Sequence, residues 1–593
     1  MYRLQPKDQK NLLKAALGIL PADLILANIQ LVNVLTGEIY PADIYVSQGF
    51  IAHVESKNIG QLGEAKKIVD GKGKYLIPGL IDAHVHIESS MLTPRHFAEA
   101  VLVHGTTTVI TDPHEIANVF GIRGVRYMHD ASDDLPMRQL INIPSCVPAV
   151  PGLEESGADF TSREIAVLLD LPRVIGLAEV MDYLAVVHGE DRMMQILNTA
   201  KEAGLYLQGH APFLSGRMLS AYLIGGPNTC HESRLPSEFL EKMRLGMYVD
   251  ARESSIAKNV SAAIEGTKSV QFFDQFCLCT DDREADDLIE IGHMNEVVRA
   301  AIRAGMDPIL AIKAATINTA REIRLDRLGA IAPGYVADFL MVESLQELSP
   351  QAVYYEGNLV AENGKLLAPI PAKDFSIEQE NSVHLPELTR ESMTFYTPIE
   401  SGTIPVTVMT YHDYGLSSTD AVVEYLPVKD GILDLSQDPD LKYVAVVNRH
   451  GKSRIGLGVV RRFGTTKGAV ASTISHDSHN LTVVYDRPEQ GYLAAQELAK
   501  QGGGMIAVED NQVKSRLPLS LAGLMSVKNA EAVAKEASHM KKALKDLGLN
   551  QMDNPLLRIV TLALPVIPNC KMSDYGIIDV NTKKILPLFP SQQ

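Results

Sequence analysis

Hydrophobic and polar positions change rhythm three times along the chain. Residues 24–56 run as short alternating segments (LILANIQLVNVLTG, then ADIYVSQGFIAHVES), the pattern of half-buried strands, and Gln48-Gly49 predicts a hairpin turn. From about residue 76 strand and helix patterns alternate. Apolar or β-rich runs fall at 75–83, 105–111, 141–150, 174–180, 205–209, 228–230, 247–251 and 276–280, with helical patterns such as 191–203 and 235–244 between most of them. Eight such units in roughly 250 residues is the size of a (β/α)8 barrel. After a helical stretch at 294–325, strands return in LGAIAPGYVADFLMV and GNLVAENGKLL, the latter with a turn at Asn363-Gly364. The early and late β segments flank the barrel and are expected to form one small β domain.

From about residue 376 a strand-rich third region begins (IPVTVMTYH, KYVAVVNRHG, GAVASTISHDSHNLTVVY), with a long charged helix at 528–547, and it reads as α+β. The expected divisions are 1–75 (an N-terminal helix and the first part of the small β domain), 76–325 (the barrel), 326–375 (the second part of the small domain) and 376–593. Gly502-Gly503-Gly504 reads as a turn or helix cap, because no Gly-Lys-Ser/Thr follows as in a phosphate loop.

Composition narrows the partners. The formal net charge of −17 argues against a nucleic-acid backbone or an anionic membrane. The five cysteines form no CxxC pair, which points to a reducing cytoplasm. No apolar segment approaches a membrane span, and the charged first twenty residues read as a surface helix rather than a signal peptide.

The chemistry gathers at the predicted strand ends, which in such a barrel face one common site. GLIDAHVHIE (79–88) puts His84 and His86 on one face of the first strand. The second strand ends in Asp112 and His114, the fourth in Glu179, the fifth in His210, the sixth in His231 and the eighth in Asp281 and Asp282. Four imidazoles and two carboxylates suit a pair of divalent ions that lower the pKa of a water. Glu179 is the natural bridge, having two oxygens, and Asp281 the natural proton shuttle. His114 reads as a ligand, a substrate contact or a donor behind the ligands. His53, His104, His129 and His188 read as structural or surface residues, His293 as structural, Cys277 and Cys279 as buried strand residues, and Glu284, Asp286, Asp287 and Glu290 as a solvated loop.

The motifs HVHIESSMLTP, GTTTVITDPHEIANVFG, GHAP, CHES, DARESSIAKN and HDSHN resemble the bacterial adenine deaminases of the amidohydrolase superfamily, over essentially the whole chain. The resemblance implies a metal-dependent hydrolase barrel that deaminates adenine to hypoxanthine and ammonia in purine salvage. It assigns His84, His86, Glu179, His210, His231 and Asp281 to a binuclear centre holding manganese, with iron or zinc as alternatives. Many amidohydrolases bridge their ions with a carbamylated lysine at the fourth strand; Glu179 stands there in this chain, in keeping with the adenine deaminase branch. The H-x-E…P-C-x-x-C signature of the cytidine-type zinc deaminases is absent.

Deamination also needs a group to protonate ring nitrogen 1. Glu232 and Glu253 are the candidates, and Arg252 orients Glu253 or balances its charge. The expected substrate is the free base. His476, Asp477, His479 and Asn480 either close the purine pocket from the third region, with the two histidines contacting substrate, or are structural or oligomer-forming. The expected partners are adenine and a second copy of the chain in a homodimer. Two rival readings remain open at this point: another hydrolase of cyclic amides or acyl groups, and a non-catalytic barrel.

Overall fold

The computed structural model describes residues 4–56, 62–413, 418–567 and 569–591. Its first sheet is assembled from both flanks of the barrel. Leu24–Asn33, Glu38–Ser47 and Phe50–Glu55 form an antiparallel run, and Phe339–Val342, Pro350–Tyr355 and Asn358–Glu362 form another. Tyr75–Pro78 joins them, parallel to Leu24–Asn33 on one side and antiparallel to Phe339–Val342 on the other. The hairpins turn where the sequence marks them, with positive φ at Gln48 (55°) and Gly49 (79°) and at Asn363 (51°) and Gly364 (75°).

The apolar run at 75–83, read above as one barrel strand, is split in two. Tyr75–Pro78 belongs to the small sheet, and Leu80–Val85 opens the barrel. Gly79 makes the crossing possible: a Cβ there would stand 2.3 Å from Thr107 Oγ1, so only glycine lets the chain pass so close.

The barrel consists of five parallel strands (Leu80–Val85, Thr106–Thr111, Arg138–Ile143, Val174–Val180, Tyr206–Gly209) and three more (Thr229–Cys230, Tyr248–Arg252, Phe276–Cys279). Two seams close it. At one, Asn228 N–H donates to Leu207 O (3.2 Å) and Gly209 N–H to Thr229 Oγ1 (3.0 Å). At the other, Asp281 N–H donates to His84 O (3.0 Å). There the buried Asp82 carboxylate also accepts from Thr280 N–H (3.0 Å), Thr280 Oγ1–H (2.5 Å) and His84 N–H. Most strands are buried on both faces, as helices outside and packed side chains inside require.

Among the described residues, the third region holds a nine-stranded sheet carrying Pro488–Lys500 and Ala530–Asp546 and a separate three-stranded sheet at Cys570–Ser573, Gly576–Asp579 and Lys584–Leu586. One buried cluster runs without a break from Val85, Leu92 and Phe97 of the barrel to Val444, Met525 and Met540 of this region. The acidic stretch after the eighth strand is a correction to the sequence reading. Ala285–Glu290 is a helix, Glu284 and Asp286 are buried, and Lys541 Nζ reaches both carboxylates at 2.5 and 2.7 Å. These acids dock the helix at Ala530–Asp546. Among the described residues, no helix is long and apolar enough to cross a membrane.

Candidate active site

The strand ends converge. His84 Nε2 and His86 Nε2 lie 3.0 Å apart, and Asp281 Oδ1 stands 3.5 and 3.3 Å from them. Glu179 turns Oε1 toward the same pair (3.7 and 3.4 Å) and Oε2 toward His210 Nδ1 (2.5 Å) and His231 Nε2 (3.2 Å). One carboxylate thus spans two groups of imidazoles, each by a separate oxygen.

The hydrogen bonds behind the ligands settle which nitrogens carry protons. Gln208 Nε2–H donates to Ala83 O (2.9 Å), which fixes its Oε1 as the acceptor for His84 Nδ1–H (2.9 Å). Asp112 O accepts from His86 Nδ1–H (3.1 Å). In the neutral rings both Nε2 atoms therefore present lone pairs, facing each other and two carboxylate oxygens in a buried site. Such a convergence of negative potential is unfavourable by itself and is relieved by cations, so the donor set fits divalent metal.

Ligand-type atoms group within 4.8 Å of one another as His84/His231/Asp281, Glu179/His210/His231, His86/Asp112/His114/Glu179 and Glu115/His476/His479. The six residues of the expected binuclear set are thus brought together. Asp112, absent from that set, adds a carboxylate beside His114 (Oδ2 to Nδ1 3.1 Å).

The surrounding scaffold holds these strand ends in register. Tyr222 OH donates to Val180 O (2.8 Å) and accepts from His210 N–H (2.9 Å), joining the loops after Glu179 and His210. The fully buried Lys242 Nζ donates to Ala211 O (2.7 Å), Ser233 Oγ (2.7 Å) and Cys230 Sγ (3.3 Å), so one ammonium clamps the neighbours of His210 and His231. Asn259 Nδ2–H donates to His231 O (2.7 Å) and Ser233 O (2.9 Å). Nothing in the sequence pattern singled out Tyr222, Lys242 or Gln208, and Asn259 appears there only as the last residue of DARESSIAKN.

The ligands open into a cavity of about 360 Å³. Arg252, Glu232, His114 and Asp282 line it from the barrel, His476 and Asp477 from the third region, and Leu557, Leu564 and Ile567 close it with apolar surface. Arg252 Nη1 donates to both Glu232 Oε1 and Asp281 Oδ2. Burial works against ionisation of Glu232, but Arg252, His210 and His231 hold it at about 2. Glu253 is not part of the lining; its carboxylate faces Lys258 Nζ at 3.3 Å. His479 also lies off the cavity, fully buried against Glu115, a residue whose place in the TDPHE motif was read only for its Asp and His.

The sequence matches the Amidohydrolase family over residues 75–360 and the Adenine deaminase C-terminal domain over residues 417–584. It is 41% identical to adenine deaminase 2 of Carboxydothermus hydrogenoformans over 588 residues, covering 98% of this chain and 100% of that protein. It is 39% identical to the adenine deaminase of Moorella thermoacetica over 98% of both chains. The adenine deaminase of Geobacillus kaustophilus is 38% identical, again over 98% of each. Similarity at this level along the full length, over a barrel whose strand ends hold a converging His and carboxylate set, means that the chain belongs to the adenine deaminase family of the amidohydrolases.

Proposed function

We propose that the chain hydrolyses adenine to hypoxanthine and ammonia at a metal-dependent centre held by His84, His86, Glu179, His210, His231 and Asp281. The end-to-end similarity to adenine deaminases carries this reading, and the facing imidazole lone pairs support the metal. Two divalent ions, manganese in the first instance, would supply Lewis-acid activation of water and of the purine. Glu179 would help hold them, since it turns one oxygen toward His84 and His86 and the other toward His210 and His231.

Asp281 has Oδ2 engaged by Arg252, which leaves Oδ1 beside the ligand pair as the acceptor for a water proton and its carrier to the departing amine. Arg252 keeps that carboxylate ionised and oriented, and anchors Glu232 at the cavity wall. Glu232, His114, His476 and Asp477 are the polar groups left to meet the purine edge, and Leu557, Leu564 and Ile567 cover it and keep out bulk water. The reaction serves purine salvage. All five cysteines are free and buried, in keeping with a cytoplasmic enzyme, and the expected assembly is a homodimer.

The test is ammonia release from adenine by the purified protein. Activity should vanish after thorough chelation and return with Mn²⁺ or Fe²⁺ at about two ions per chain, since six ligand side chains exceed the need of one tetrahedral ion. Full turnover by metal-free protein would refute it.

A further inference from the structure

A carboxylate of the barrel reaches into the C-terminal region and meets two of its imidazoles. Glu115 Oε1 lies 2.9 Å from His476 Nδ1, and Oε2 is bonded to His479 Nε2, 364 residues away in sequence. The two histidines are held differently. Ser475 N–H donates to His479 Nδ1 (3.3 Å), so that nitrogen is an acceptor and the ring gives its Nε2–H to Glu115. His479 is fully buried, away from the cavity, and its carbonyl accepts from the Arg449 guanidinium. Both of its ring nitrogens are engaged, so it is scaffold.

His476 has a free end. Its Nδ1 is ion-paired with Glu115 Oε1 (2.9 Å) and lies 3.6 Å from Asp477 Oδ1, which leaves Nε2 as the other ring nitrogen, with no carboxylate or hydrogen-bond partner among the described residues. The ring lines the active-site cavity together with Asp282 and Ile256. A carboxylate fixing one ring nitrogen so that the other works on substrate is the relation that makes histidine a proton-transfer group.

We infer that His476 is a catalytic residue of the deamination, giving a proton from Nε2 to the purine ring, and that Glu115 is the positioning residue that sets its orientation. The inference rests on the deaminase reading. Hydrolysis adds water oxygen to carbon 6 and expels the amino nitrogen with the C–N electron pair, so two protons must be placed: one on ring nitrogen 1, one on the amine. Asp281 carries the first water proton to the amine. His476 protonates the ring nitrogen and is restored through cavity water by the second O–H proton, freed as the carbonyl forms. Burial opposes a charged imidazole at this position, but Glu115, Asp477 and Asp282 outweigh it and raise its basicity well above the ordinary range, so it enters the cycle protonated. The C-terminal region is on this account part of the catalytic machinery.

The experiment compares full-length wild type, His476→Ala, His476→Gln, Glu115→Gln and His479→Ala, each with metal content and melting temperature measured. His476→Ala should lose about 10²–10⁴-fold in kcat, with KM within a few-fold and metal content native. Added imidazole should restore its turnover at least tenfold and saturably, while leaving Glu115→Gln and His479→Ala unchanged. Glu115→Gln should lower kcat by at least tenfold with His476 present. If His476→Ala does not fold, the near-isosteric Gln variant is read in its place. A folded His476 variant within threefold of wild-type kcat overturns the inference, as does a deficient His476→Ala that imidazole does not rescue. If wild type itself releases no ammonia from adenine, the deaminase reading has failed instead.

Discussion

Replacing Gln208 with Leu tests how the first ligand is prepared for metal. Leu has similar volume, so the barrel interior stays filled. What is lost is polar: the bond from His84 Nδ1–H (2.9 Å), the bond from Asn142 Nδ2–H (3.2 Å) and the bond to Ala83 O (2.9 Å). Three buried hydrogen bonds at a net ~0.5–1.5 kcal/mol each come to about 1.5–4.5 kcal/mol of stability. The larger consequence is chemical. Without an acceptor at Nδ1 the His84 proton has no preferred nitrogen, and the tautomer with its lone pair at Nε2 is no longer enforced. Partners behind a metal ligand are typically worth 10–100-fold in affinity, or about 1.4–2.7 kcal/mol. Calorimetric titration of Mn²⁺ into chelated protein should therefore show weaker binding by that factor in Gln208→Leu, and a smaller change in Gln208→Glu, which keeps an acceptor. A folded Leu variant that binds Mn²⁺ with wild-type affinity would refute the reasoning.

Asp281→Asn should keep much of its metal, because the amide oxygen still coordinates weakly, yet lose about 10²–10⁴-fold in kcat, because an amide cannot take the water proton; near-native turnover would move the shuttle elsewhere. Adenosine should be turned over far more slowly than adenine in a side-by-side ammonia assay, and comparable rates would count against the free base as the substrate. Glu154 is buried, and that burial, reinforced by Asp477, raises its carboxyl to about 8, against 4.5 for a free glutamate. The native state thus holds a proton that the unfolded chain releases, so this group's contribution is full below pH ~4.5 and is lost as pH rises toward ~8. The denaturation midpoint of Glu154→Gln should lack that decline, a difference of order 3–5 kcal/mol between the two ends of the window; parallel pH profiles for variant and wild type would rule it out.

The barrel and the convergence of its strand-end histidines and carboxylates were legible because both obey local rules. Strands buried on both faces leave continuous apolar runs, and a (β/α)8 barrel gathers whatever those runs end in, so His84, His86, Glu179, His210, His231 and Asp281 could be picked out one strand at a time. What escaped was set by distant partners. The run at 75–83 is broken in sequence at Pro78-Gly79, but both sheets demand apolar strand residues, so that each half joins a different sheet is set by distant partners and by the close pass of Gly79 by Thr107. Glu284 and Asp286 resemble a solvated loop until Lys541, some 250 residues later, neutralises them. Gln208 is one neutral amide in a strand, and its role exists only through His84 across the barrel. Glu253 had the right type and neighbourhood, but its carboxylate faces Lys258 instead of the cavity.

The small sheet has a consequence for how the protein is made. Tyr75–Pro78 leaves the ribosome early, whereas its second neighbour, Phe339–Val342, follows only after residues 79 to 338 have been translated. At ~5–20 residues per second that interval is roughly 13–50 s. Throughout it, an apolar strand with open backbone N–H and C=O groups on one side stands as a template for any passing chain. The same pairing makes the two flanks a latch: the small sheet is completed only when the whole barrel sequence has emerged between them. A nascent chain arrested before residue 339 should therefore depend more on a chaperone to remain soluble than one arrested after residue 366, in which the small sheet is complete.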